Sequence, residues 1–181
     1  MVSSTPQLRS VLKSQYHASL AMLRDAVERC PADVWLSREH KNAFWQVAYH
    51  TLFFTHLYLQ RDEAGFRPWA QHQAAVQHQD GFAGRADPNS PLPLIPNPYT
   101  QQQVLAYLTF CDHMVDAAVD GLDLDSPECG FWWYKLSKLE HQFVNIRHVQ
   151  HHTAQLADRL RSAADIGIAW VGARPGAASC A

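Results

Sequence analysis

The chain has 181 residues, 47% of them hydrophobic and 18% charged, which is enough for one domain with a real core and too apolar for a disordered segment. Its 15 basic and 17 acidic residues give a formal net charge of −2, with no block of like charge, so neither nucleic acid nor an anionic membrane surface is an expected partner. No apolar run approaches the ~20 residues of a membrane span. The opening MVSSTPQLRS lacks a secretory pattern, and Cys30, Cys111, Cys129 and Cys180 form no C-x-x-C pair. Buried or loop thiols in a reducing cytoplasm are the expectation.

Helix A is predicted from Thr5, a good N-cap, with Pro6 at the first helical position, where its missing N–H costs little. Leu8, Val11, Leu12, Met22, Leu23, Ala26 and Val27 keep helical spacing, and Pro31 marks the stop. Residues 31–41 read as a polar connection that includes Trp35. Helix B is predicted from Asn42 to Gly65, with apolar residues almost all round: Phe44, Trp45, Val47, Ala48, Leu52, Phe53, Phe54, Leu57 and Leu59. Such a helix is covered on more than one side, by its own domain or by a partner, and a homodimer through helix B or A is expected on that ground.

Residues 65–99 carry Pro88, Pro91, Pro93, Pro96 and Pro98 with Gly81 and Gly84, and read as a long crossover with a short helix at Trp69–Gln77 inside it. Helix C opens on the capping box Thr100-Gln-Gln-Gln103 and closes near Gly121. A second connection holds Pro127, Gly130 and the aromatic run Phe131–Tyr134. Helix D starts at Ser137-x-x-Glu140, another capping box, and continues to Ala164. No β-alternation appears. The prediction is an all-α four-helix bundle over residues 1–166, with one long crossover between the second and third helices. An irregular C-terminal tail, 167–181, follows, and its end is expected to be mobile.

The chain holds 11 histidines, and three have ligand spacing. His50 lies on the stripe Ala43, Val47, His50, Phe54, Leu57 of helix B, where by itself it reads as a hydrogen-bonded core residue. His148 and His152 stand at i and i+4 on helix D, one above the other, the device that lets two imidazoles reach one ion. The competing reading is a solvated polar face, since His141, Asn145 and Gln155 share that side. Three imidazoles from two helices leave an open coordination position, the catalytic rather than the structural pattern. Zinc suits them best, with nickel, iron or manganese compatible. Asn145 and Gln155 are the candidates to hold the rings' other nitrogens, before Asp112 or Asp116 of helix C. His151 falls roughly 160° from the middle of the apolar arc of helix D at about 100° per residue, so His152 rather than His151 is the expected ligand.

The stretch N-I-R-H-V-Q-H-H-T-A-Q-L (Asn145 to Leu156) resembles the C-terminal signature of DinB-like proteins, and W-Q-V-A-Y-H-T-L-F-F (Trp45 to Phe54) resembles their second helix. The resemblance covers residues 5–165. It implies a DinB-like bundle, often dimeric, with one divalent metal on His50, His148 and His152. Thr153-Ala154 stand where the family often has Arg-Gly, which weakens any transfer of substrate contacts. The resemblance also implies a small-molecule substrate, with metal-dependent transfer of a low-molecular-weight thiol to an electrophile or a thiol-dependent isomerisation. Hydrolysis by metal-activated water and a non-catalytic, metal-stabilised stress or binding protein are the alternatives. A ferritin-like di-iron site is excluded, because none of the five glutamates has a histidine three residues on.

Overall fold

The computed structural model describes residues 5–74, 76–79 and 97–174. Helices are the only regular elements among them: α1 Thr5–Arg29, α2 Ala32–Trp35, α3 Phe44–Tyr58, α4 Gln101–Gly121 and α5 Lys138–Ala164. Local chemistry sets their ends. Thr100 Oγ1 accepts from the Gln103 N–H while Gln103 Oε1 accepts from the Thr100 N–H. Ser137 Oγ accepts from the Glu140 N–H. Gln46 Oε1 accepts the Ala43 N–H before α3. Asp165 stops α5 in the left-handed region (φ 54°), donating its N–H to the carbonyls of Arg161 and Leu160.

Side-chain pairs give the directions of the four long helices. Lys13–Asp120, His17–Asp112 and Arg24–Thr109 run α1 antiparallel to α4, whereas Tyr16–Gln142 and Met22–Gln150 run it parallel to α5. His50–His148, Thr55–Asn145 and Tyr58–Gln142 run α3 antiparallel to α5. The Tyr49–Tyr107 ring pair and the Cys111 thiol on the Leu52 carbonyl run α3 parallel to α4. Each of α1 and α3 therefore packs against both α4 and α5.

Several expectations are corrected. Helix B ends at Tyr58, not Gly65. The 31–41 connection contains α2, whose Trp35 is buried and donates its indole N–H to the Tyr99 carbonyl at 2.9 Å. Around Trp69–Gln77 the described residues form turns, with His72 N–H on Trp69 O and Val76 N–H on Gln73 O, and no helix. These turns nevertheless have work to do, because Phe66, Trp69, His72 and Val76 lie against the aromatic side of α3 and α4. Together with α4 and α5 they bury α3 within a single chain. The apolar surface of α3 is thus covered largely within one chain, so it does not by itself call for a partner subunit.

Residues 165–174 have no regular structure but run back along α1, with Ala169 N–H on Asp25, Gln15 on the Gly172 carbonyl and Arg174 N–H on Ser14 O. The expected mobile end of the tail, with Pro175 and Gly176, lies outside the described residues, as do Cys180 and the prolines and glycines of 80–96. Cys30, Cys111 and Cys129 are buried free thiols. No helix among the described residues is long and apolar enough to cross a membrane.

Candidate metal centre

On α5 the apolar arc does not define the inward face. Phe143 is 48% exposed, while Gln142 and Asn145 are fully buried beside Val149, Leu156 and Leu160. At about 100° per residue the buried face is centred roughly 50° from the apolar arc, on the histidine side. The reason is that polar partners wait inside. Tyr16 of α1 donates to Gln142 Oε1 at 2.8 Å, Gln142 Nε2 donates to the Tyr58 carbonyl, and Asn145 Nδ2 donates to the Thr55 carbonyl. A solvated polar face is thereby ruled out, and His152 is carried inward to 7% exposure while His151 stays exposed.

The three expected residues meet. His50, His148 and His152 each offer a ring nitrogen, all within 4.8 Å of one another. His50 Nε2 and His148 Nε2 are 3.1 Å apart, and the His152 ring stands edge-on to both, at centroid distances of 4.7 and 4.6 Å. Three nitrogens on one zinc ion, each at ~2.1 Å, would lie about 3.4 Å apart in a tetrahedron. The observed cluster needs only small side-chain movement to reach that spacing.

The other ring nitrogens decide which atoms are available. His50 Nδ1 lies 2.5 Å from the Gln77 carbonyl, which can only accept, so its Nδ1 carries the proton and Nε2 keeps a lone pair. His152 Nδ1 lies 2.8 Å from Gln155 Oε1, with the same consequence, and Gln155 Nε2 in turn meets His151 Nε2 at 3.2 Å. His148 Nδ1 is buried without a partner among the described residues. Burial, then the neighbouring His152, His50 and His151, pulls the His148 pKa down to about 2, so this imidazole is neutral. Three imidazoles brought together, with acceptors behind the Nδ1 atoms of His50 and His152, fit the donor set of a divalent metal.

A cavity of about 350 Å³ opens onto the cluster, lined also by Phe54, His78, Gln79 and His151, with no carboxylate, lysine or arginine among the described residues of its wall. Of the expected supporting residues, Gln155 is in place. Asn145 serves Thr55 instead, and Asp112 and Asp116 flank His17 on the other side of the molecule, at 2.7 and 3.1 Å. The Gln77 carbonyl and His78 were not foreseen. Gln77 closes the Trp69–Gln77 stretch expected to be a helix, and in the turns found there instead no spacing signals its carbonyl or His78. No family model, curated protein or solved structure matches the chain.

Proposed function

We propose that this chain is a DinB-like four-helix bundle, with 59–100 as its crossover, that holds one divalent metal on His50, His148 and His152. We propose further that it transfers a low-molecular-weight thiol to an electrophile. Zinc is the metal the three-imidazole donor set favours. The observation that carries the reading is that His50, His148 and His152 bring ring nitrogens within 4.8 Å of one another in the lining of an open cavity. A metal held there supplies a Lewis-acid centre that lowers the pKa of a bound thiol and keeps it nucleophilic at neutral pH.

The chain's own groups do the rest. The Gln77 carbonyl and Gln155 Oε1 hold His50 and His152 by their Nδ1 atoms, fixing ring orientation. Phe54, packed on both His50 and His148, walls one side with apolar surface and restricts water. A proton leaving the thiol finds imidazoles in the cavity wall, His78 and His151. A purely structural metal would be enclosed by four protein ligands, whereas this cluster faces a cavity.

The test is elemental analysis of protein purified without a His-tag, followed by consumption of glutathione with a model electrophile, with and without chelator. The expected result is about one metal per chain and thiol consumption only in its presence. Metal-free protein whose melting is indifferent to chelator would overturn the metal site. Stoichiometric metal without thiol consumption would leave the non-catalytic, metal-stabilised reading.

A further inference from the structure

The helix pair that carries the histidines also frames a second, larger cavity of about 580 Å³, whose wall includes Asp33, Ser37, Glu39, His40, Arg159 and Ser162. Its place follows from helix geometry. Arg159 continues the α5 stripe of His148, His152 and Gln155 at i+4, i+7 and i+11. It stands seven residues beyond His152, about 10 Å along the axis at 1.5 Å per residue. Phe44, which lines the same cavity, stands six residues before His50 on antiparallel α3. The two cavities are therefore offset along the same pair of helices, α3 and α5, with Gln46 and Gln155 at the helix positions between them.

The second cavity differs from the first in charge. The half-buried Arg159 donates one Nη1 bond, at 2.8 Å, to the Asn42 carbonyl, and no carboxylate among the described residues lies within ion-pair distance of it. Burial pulls its pKa down, as expected of a cation whose lost hydration no anion offsets. A guanidinium held at the wall of a cavity by a single carbonyl presents its remaining donors to a planar anion. Asp33 and Glu39, both exposed, line the same cavity and would repel a simple anion while attracting an ammonium group.

We propose that this cavity is an anchoring subsite for the ligand of the histidine centre and recognises a zwitterionic α-amino-acid group, its carboxylate on Arg159 and its ammonium on Asp33 and Glu39. At about 3.5 Å per extended residue, an offset of ~10 Å along the helix axis is within the span of a short peptide. The substrate class is thus a peptide thiol that ends in a free α-amino acid, with its sulfur at the histidines. Only the identity of the reacting end rests on the thiol-transfer reading; the subsite stands on its own geometry.

The experiment is calorimetric binding of S-methylglutathione, whose sulfur is blocked, to the full chain as purified and after chelation. Wild type binds in both states, Arg159→Ala binds at least tenfold more weakly, and Arg159→Lys falls between. Acetylating the glutamyl amine weakens binding to wild type severalfold. The double variant Asp33→Asn/Glu39→Gln, on exposed side chains, weakens binding of the free-amine probe likewise and keeps the test open if Arg159→Ala fails to fold. No binding to wild type, or equal binding by all variants, overturns the subsite. Binding that behaves as described while no thiol is consumed supports the subsite and overturns only the thiol-transfer reading.

Discussion

His17 and His148 both sit on long helices largely out of solvent, and their neighbours make them opposite kinds of group. His17 of α1 meets Asp112 through Nδ1 at 2.7 Å and Asp116 through Nε2 at 3.1 Å, so both nitrogens are committed to tying α1 to α4. His148 of α5 meets no carboxylate among the described residues. Its Nε2 points at that of His50, its ring lies against His152, and the cluster opens on a cavity. A histidine's capacity for metal thus depends on whether its fold sets carboxylates or other imidazoles against its nitrogens, and a count of histidines or an i, i+4 spacing does not reveal that. His17 with Asp112 and Asp116 is also a His/carboxylate group with i, i+4 spacing, yet here it is a clamp.

The contrast breaks most sharply at the histidine cluster. His152→Ala should abolish stoichiometric metal and lower the melting temperature of the metal-loaded protein to that of the chelated one, because a ligand bound only by the native state stabilises it by mass action. His151→Ala should leave metal content and melting nearly unchanged. Equal behaviour of the two variants by elemental analysis and calorimetry would reverse the assignment of the inward ring.

Acid is the next largest lever. Burial lowers the pKa of His56 and His141 from 6.5 to about 4 and that of His148, with help from its neighbouring imidazoles, to about 2. A histidine whose native pKa is depressed binds fewer protons folded than unfolded, so stability is full above pH 6.5 and is lost as pH falls below it. For His56 and His141 the loss accrues between pH 6.5 and about 4, on the order of 1 kcal/mol per pH unit for each ring. Urea titrations of chelated protein across that range should show it, and His141→Phe should reduce the slope. A flat profile from pH 6.5 to 4 would mean that these rings find partners in solution.

The clamp offers the smaller effect. His17→Ala removes two charge-assisted bonds between α1 and α4 and leaves Asp112 and Asp116 facing each other, a loss of about 1–3 kcal/mol. Metal content should stay at the wild-type level. Loss of metal in this variant would show that the two histidine sites are coupled through the helix packing.

Much of the architecture is legible in the sequence. Thr100–Gln103 and Ser137–Glu140 announce the starts of α4 and α5 because capping is local chemistry, completed within four residues. Pro31 likewise closes α1, which ends at Arg29. The end of helix B was misjudged by several residues, since nothing local stops the pattern at Tyr58. The buried face of α5 was read too far toward Phe143, because periodicity scores apolarity and the real interior is partly polar.

What the sequence determined by itself is therefore what depends on neighbours in the chain: helix starts, an all-helical chain, and the i, i+4 stacking of His148 and His152. What only the tertiary structure decided depends on groups far apart. The Gln77 carbonyl behind His50, the diversion of Asp112 and Asp116 to His17, and the alignment of Arg159 with a cavity shared by α2 and α3 all join elements dozens of residues apart. Local propensity reaches about one helical turn, whereas polar satisfaction in a core is settled by whichever partners packing brings within 3 Å.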